Sequence, residues 1–147
     1  MAQPTLAETT LFVIEAMKNC KDKVGNPAVL HSLEVMHSLR FETEEIQLIG
    51  LLHDVVEDTK VTIDALAFNG YSRRITDAVE TLTRKINEPY FEYLNRIKKN
   101  PLATRVKIAD AENNLKRCND RIGEFASLAT RYKNVLIELT PEREMSL

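Results

Sequence analysis

Apolar residues recur at three- and four-residue intervals through most of the chain, the period of helices that bury one face. Ile122, Phe125, Ala126, Ala129, Tyr132, Leu136 and Leu139 form one such stripe. End signals divide the pattern. Thr5 with Glu8 makes a capping box ahead of Leu6 to Cys20. Asn26-Pro27 and Asn100-Pro101 each offer an N-cap followed by proline at the first helical position. Thr43, followed by Glu44 and Glu45, opens another helix with acid in its first turn. The spacing predicts helices over 5–20, 27–40, 43–57, 62–69, 72–84, 89–99, 101–118 and 121–139. No segment alternates as a strand, and no repeat, low-complexity tract or linker divides the chain. The predicted fold is all-α, a single-domain helical bundle of about eight helices spanning residues 1–147.

Segment 43–57 stands apart. From Ile46 to Val56 it is apolar on nearly all sides, the pattern of a central helix covered by its neighbours. Its end nevertheless reads His53-Asp54-Val55-Val56-Glu57-Asp58. Ionisable groups at the end of a buried helix cost several kcal/mol unless something compensates them, and a metal ion would do so. In a continuous helix His53 and Glu57, and likewise Asp54 and Asp58, stack one turn apart. The His-Asp dipeptide can aim both side chains at one cation, which leaves Glu57 and Asp58 placed to act on a water. Acid at a helix C-terminus opposes the macrodipole, which disfavours a merely structural role for that pair.

One histidine and one aspartate are too few for a stable site. His31, in the apolar context Val29-Leu30-His31-Ser32-Leu33, and Asp110, which interrupts Val106-Lys107-Ile108-Ala109, are the candidate partners. Asp110 and Asn114 are one turn apart, with Lys107 a turn before on the same side; Asn114 or its neighbour Asn113 is alternatively a helix cap. His37 points to a different face and reads as structural or exposed. Tyr90 and Tyr93 read as packing, and Arg96, Lys98 and Lys99 as a solvated charge run.

Composition narrows the class. Hydrophobic residues make up 44% and charged residues 29% of 147, which fits a soluble globular protein and excludes disorder, collagen-like repeats and a membrane protein. The longest apolar runs, such as Leu48 to Leu52, are too short to span a bilayer. The early run Leu11 to Ile14 is flanked by Glu8 and Glu15, so no secretory signal is expected. Cys20 and Cys118 lie far apart without CxxC spacing and read as free thiols of a cytoplasmic protein. Residues 1–83 carry 7 basic and 13 acidic side chains, net −6, whereas residues 84–133 carry 12 and 6, net +6. A metal site beside a phosphate-rich ligand needs both signs, and the basic half is expected to line the ligand's approach; solvated helix faces are the alternative. The overall charge of −2 and the lack of a recognition motif argue against a nucleic-acid partner. Oligomeric state leaves no signal.

These residues carry a resemblance. His31, then His53-Asp54, then Asp110 followed by Asn114, resembles the HD-domain metal-dependent phosphohydrolases. More narrowly, residues 53–59 (HDVVEDT) and 106–115 (VKIADAENNL) are similar to the hydrolase domain of RelA/SpoT-like enzymes and to the small alarmone hydrolases. Asn26-Pro27 ahead of His31, and Leu82-Thr83-Arg84 followed by Tyr90, Tyr93 and Asn100-Pro101, fit the same pattern over roughly residues 10–118. The resemblance implies His31, His53, Asp54 and Asp110 as metal ligands, with Mn²⁺ the usual ion. It implies that Glu57 and Asp58 orient and deprotonate the attacking water, that Asn114 touches a nucleotide substrate, and that Lys107 supports a phosphate. The implied reaction removes the 3′-pyrophosphate from (p)ppGpp. Two imidazoles and two carboxylates independently suit a borderline or hard divalent ion.

The chain departs from that family where guanine is recognised. An Arg-Lys pair is usual before the glycine matching Gly25 and a tyrosine after the proline; here the stretch is Lys21-Asp22-Lys23-Val24-Gly25, with Ala28 after Pro27. Lys21 or Lys23 supplies charge, but not the planar stacking surface of arginine. An HD phosphatase acting on other nucleotides and a non-catalytic nucleotide-binding module are the alternative readings. The Glu57-Asp58 pair is the feature that neither requires.

Overall fold

Local end signals set most of the helix boundaries. A computed structural model describes residues 2–119 and 126–141, with α1 at Leu6–Met17, α2 at Val29–Ser38, α3 at Glu44–Leu52, α4 at Val55–Asp58, α5 at Ile63–Phe68, α6 at Arg73–Leu82, α7 at Tyr90–Lys98, α8 at Pro101–Asn119 and α9 at Ala126–Leu139. Thr5 Oγ1 accepts from the Glu8 amide while Glu8 Oε1 accepts from the Thr5 amide, each at 3.1 Å, so the capping box forms. Thr43 caps α3 and Asn100 caps α8 as the sequence predicts. Thr62 and Ser72 cap α5 and α6 in the same way. The predicted start of the last helix near 121, with Ile122 and Phe125, lies outside the described residues.

Two boundaries depart from expectation. Asn26-Pro27 does not open α2, which begins at Val29 without a side-chain cap. Pro27 instead bridges to Lys21, the Asp22 amide donates to the Asn26 carbonyl at 2.8 Å, and Gly25 turns the chain at φ +89°. The result is a tight loop over residues 21–27. The second departure is the predicted helix 43–57, which breaks at the His-Asp dipeptide. His53 Nδ1 donates to the Gly50 carbonyl at 2.6 Å, the acceptor that a continuous helix would offer to the Asp54 amide. Asp54 sits at φ −104°, ψ −7°, and a single turn, α4, restarts after it. Glu57 and Asp58 therefore lie in that one-turn helix, and the macrodipole argument drawn from a long helix does not apply to them.

The core forms around α3, which packs against α1, α2, α6 and α8. Leu48, Ile49, Leu51 and Leu52 are fully buried there, each contributing at most about 1.5–3 kcal/mol. Gly50 has a steric reason: a Cβ built on it would lie 3.0 Å from Leu39 Cδ1, so its absence lets α2 and α3 close on each other. Helix α8 packs on α2, α3, α7 and α9. The α3–α4 junction is thereby held between α2 and α8.

The basic segment ties helices together more than it lines an approach. Arg96 is not part of a solvated run: its Nε and Nη2 meet Glu88 Oε2 at 2.7 Å and Oε1 at 2.9 Å, and it also donates to the carbonyls of Thr81 and Thr83. Arg84 donates to the Glu88 carbonyl, Lys98 pairs with Glu138, and Arg105 pairs with Glu42. Among the described residues no helix is long and apolar enough to cross a membrane.

Candidate metal centre

Helix α2 brings His31, the α3–α4 junction brings His53 and Asp54, and α8 brings Asp110 to one point. His31, His53 and Asp54 each offer a ligand atom within 4.8 Å of the others. Asp110 Oδ1 lies 2.6 Å from His31 Nε2 and 3.4 Å from His53 Nε2. Asp54 Oδ2 lies 3.1 Å from His53 Nε2 and 3.9 Å from His31 Nε2. The two imidazole rings meet edge to face with centroids 5.3 Å apart. All four residues singled out in the sequence as ligands thus converge, although they come from three places in the fold.

The donor set calls for a cation. His53 commits its Nδ1 hydrogen to Gly50, and His31 Nδ1 donates to Asn113 Oδ1 at 2.6 Å. Both Nε2 atoms therefore turn toward carboxylate oxygens, His31 Nε2 within hydrogen-bond distance of Asp110 Oδ1 at 2.6 Å. His53 Nε2 is buried, and despite its closeness to two carboxylates it has no hydrogen-bond partner. A buried acceptor facing other acceptors is costly unless positive charge stands between them. Burial lowers the His53 pKa, but Asp54 and Asp110 more than offset this and raise it well above the usual imidazole range, so the two carboxylates draw positive charge to Nε2, a proton where no cation is bound. The donors are nitrogen and oxygen at separations suited to a small divalent ion with bonds of about 2.0–2.2 Å. Cys20 and Cys118 are free thiols outside the group.

The surroundings of Asp110 fix its orientation. Lys107 Nζ donates to Asp110 Oδ2 at 2.8 Å, and Asn114 Nδ2 donates to Oδ1 at 3.1 Å. Burial would raise the Asp110 pKa, yet Lys107 and the two histidines hold it well below the carboxylate range. The Lys107 ammonium also stands 5.5 Å from the centre of the buried Tyr93 ring, whose hydroxyl donates to the Leu82 carbonyl. Lys107 is therefore engaged with Asp110 and is not among the residues lining the adjacent cleft.

Glu57 and Asp58 project from α4 with exposed side chains. Partial desolvation, then the nearby charge of Asp54, pushes both carboxyls above their ordinary pKa. Asp58, Asp54 and His31 border a cleft of about 740 Å³. The 21–27 loop contributes Lys21 and Lys23 to its wall, and α8 contributes Asn114 and Arg117. Leu128 and Tyr132 of α9 supply an apolar and aromatic side. The loop is pinned by Asp22: its Oδ1 accepts from the Val24 and Asn26 amides, and its Oδ2 accepts from Arg117 Nη2 at 2.6 Å.

Two participants escape sequence reasoning. Asn113 rather than Asn114 touches His31, and Arg117 joins the loop to α8. The i, i+3 spacing of His31 with Glu34, which binds Asn113 in turn, is the one local signal for the first. His37 is exposed, as the sequence predicts.

No family model matches the chain. Among solved structures it is similar to that of a metazoan ortholog of SpoT, described as hydrolyzing ppGpp and playing a role in starvation responses. The TM-score is 0.76 at 22% identity, with 95% of this chain and 89% of that chain covered. The likeness defines the class of fold: an all-helical, HD-domain-like bundle, in which the chain's His-Asp dipeptide falls between two helices.

Proposed function

We propose that this chain is a metal-dependent phosphohydrolase that removes the 3′-pyrophosphate from guanosine tetra- or pentaphosphate or a closely related nucleotide. The observation that carries this reading is the unpartnered, buried Nε2 of His53, aimed at Asp54 and Asp110 beside a cleft walled by Lys21, Lys23 and Arg117. The likeness to a solved ppGpp-hydrolyzing protein supports the same reaction. His31, His53, Asp54 and Asp110 would hold the ion, with Mn²⁺ the proposed metal. When bound, such an ion polarises a phosphoryl oxygen and makes a water more acidic.

The chain's own residues do the rest. Hydrolysis breaks the bond between the ribose 3′ oxygen and phosphorus; water supplies a hydroxyl to the pyrophosphate and a proton to the ribose oxygen. Glu57 and Asp58, one turn beyond the ligands and raised in pKa, orient that water and take its proton. Asn114, which donates to Asp110 and lines the cleft, would meet the reacting phosphate, and Lys23, on the cleft wall, the polyphosphate. Lys107, paired to Asp110, acts as the counter-ion that keeps this ligand charged, in place of the phosphate contact the resemblance implies. The protein acts in the cytoplasm as one domain, on a free nucleotide.

Incubating the Mn²⁺-loaded protein with a nucleotide panel that includes ppGpp tests the reading. Pyrophosphate and GDP in equal amounts are expected. Orthophosphate from nucleoside monophosphates would point to a different HD phosphatase, and binding without turnover to a binding module.

A further inference from the structure

An imidazole that ligates a metal through Nε2 needs its other nitrogen held by an acceptor. His53 has a backbone carbonyl, which accepts only. His31 has instead the side-chain amide of Asn113, which can turn either an oxygen or an NH₂ toward the ring. The amide alone leaves the ring's polarity undecided, since the reversed amide would favour the tautomer with hydrogen on Nε2.

Glu34 decides it. Its Oε2 accepts from Asn113 Nδ2 at 2.8 Å, and an ionised carboxylate can only accept. The NH₂ of Asn113 must then face Glu34, its oxygen must face His31, and Nδ1 of His31 must carry a hydrogen, with Nε2 turned to Asp110 Oδ1 at 2.6 Å. We propose that Glu34, acting through Asn113, is a positioning residue that fixes the tautomer and ring orientation of His31 so that Nε2 is offered to the divalent cation. This rests on the metal reading above. Glu34 lies one turn beyond His31 on α2, whereas Asn113 lies on α8. The relay therefore crosses the α2–α8 contact and ends at an exposed carboxylate. The neighbouring Asn114 serves Asp110 at the same time, so consecutive residues of α8 orient two different ligands.

Glu34→Lys provides the test, because an ammonium can only donate and demands the opposite amide orientation. Glu34 is exposed, so the substitution does not touch the core. Two readouts are taken: the ¹⁵N signal of His31 Nδ1 in metal-free protein, and Mn²⁺ binding by calorimetry. Wild type is expected to show hydrogen on Nδ1. Glu34→Lys is expected to move it toward Nε2 and weaken Mn²⁺ binding about 10–100-fold. Adding Asn113→Asp to Glu34→Lys supplies an acceptor that serves both neighbours, and is expected to restore Nδ1–H and most of the affinity. Because Glu34 also borders the cleft, its charge reversal alone weakens cation binding, so an unchanged Nδ1 hydrogen in Glu34→Lys overturns the relay whatever the affinity and leaves the metal reading standing. Wild type that takes up no Mn²⁺ overturns the metal reading and the relay with it.

Discussion

His31 Nε2 stands 2.6 Å from Asp110 Oδ1 across 79 positions of sequence. Nothing local produces that approach: α2 and α8 reach it by packing on the same buried helix, α3. The other oxygen of Asp110 is held by Lys107, so the aspartate links a histidine, an ammonium and Asn114 in one buried cluster.

Removing Lys107 should expose how that cluster is balanced. Lys107→Met keeps the aliphatic stem but leaves Asp110 buried without its cation. Breaking a buried pair in this way costs about 3–5 kcal/mol. Urea unfolding should show this loss in metal-free protein and a smaller one with Mn²⁺ present, because the bound ion supplies replacement charge. Equal losses under both conditions would contradict the placement of a cation at Asp110.

Glu57→Gln and Asp58→Asn should separate chemistry from binding. Both side chains are exposed and neither makes a hydrogen bond to the ligand set. The amides are expected to retain metal and fold while losing a factor of about 10²–10⁴ in kcat, the usual contribution of a positioned base. Wild-type turnover in both variants would remove the proposed roles of the pair.

Salt should act through the 21–27 loop. Lys23 lines the cleft, whereas Lys98 is paired with Glu138 away from it. With ppGpp as substrate, kcat/KM is expected to fall as ionic strength rises. Lys23→Gln should flatten that dependence and Lys98→Gln should not. Identical slopes in the two variants would count against capture at the cleft wall.

Acid should loosen the α6–α7 connection. The bidentate Arg96 guanidinium holds the Glu88 carboxyl at about 2, against an ordinary 4.5. A lowered folded-state pKa means that the unfolded chain binds the proton first as pH falls. The stabilisation is therefore complete above about 4.5 and lost as pH falls toward 2. The stability difference between wild type and Glu88→Gln should be constant at neutral pH and shrink through that window. A difference unchanged down to pH 2 would show that the pair contributes nothing through ionisation.

What the sequence reveals divides along local and non-local lines. The caps at Thr5, Thr43 and Asn100 are legible because each joins residues three apart. Asn26-Pro27 carries the same signature, yet a backbone bridge from Lys21 claims it, and no helical pattern records that competition. The break after Leu52 is equally hidden, since it depends on the His53 ring reaching Gly50 rather than on a proline or glycine at the break. The ligand types are legible because a charged dipeptide ending an apolar helix needs compensation. Asn113 and Asn114 both flank the Asp110 face, and only the position of α2 shows which one meets His31. Arg96 reads as solvated in the sequence because its partner carboxylate, Glu88, lies in the preceding loop.

The proposed chemistry needs a single bound ion, and elemental analysis of purified protein tests for it most directly. Wild type loaded with Mn²⁺ and desalted should retain one equivalent of divalent metal per chain. His53→Ala, which removes the buried Nε2 that has no other partner, should retain none while keeping its helical content. Equal metal in the two proteins, or none in wild type, would contradict the assignment of His31, His53, Asp54 and Asp110 as the metal centre.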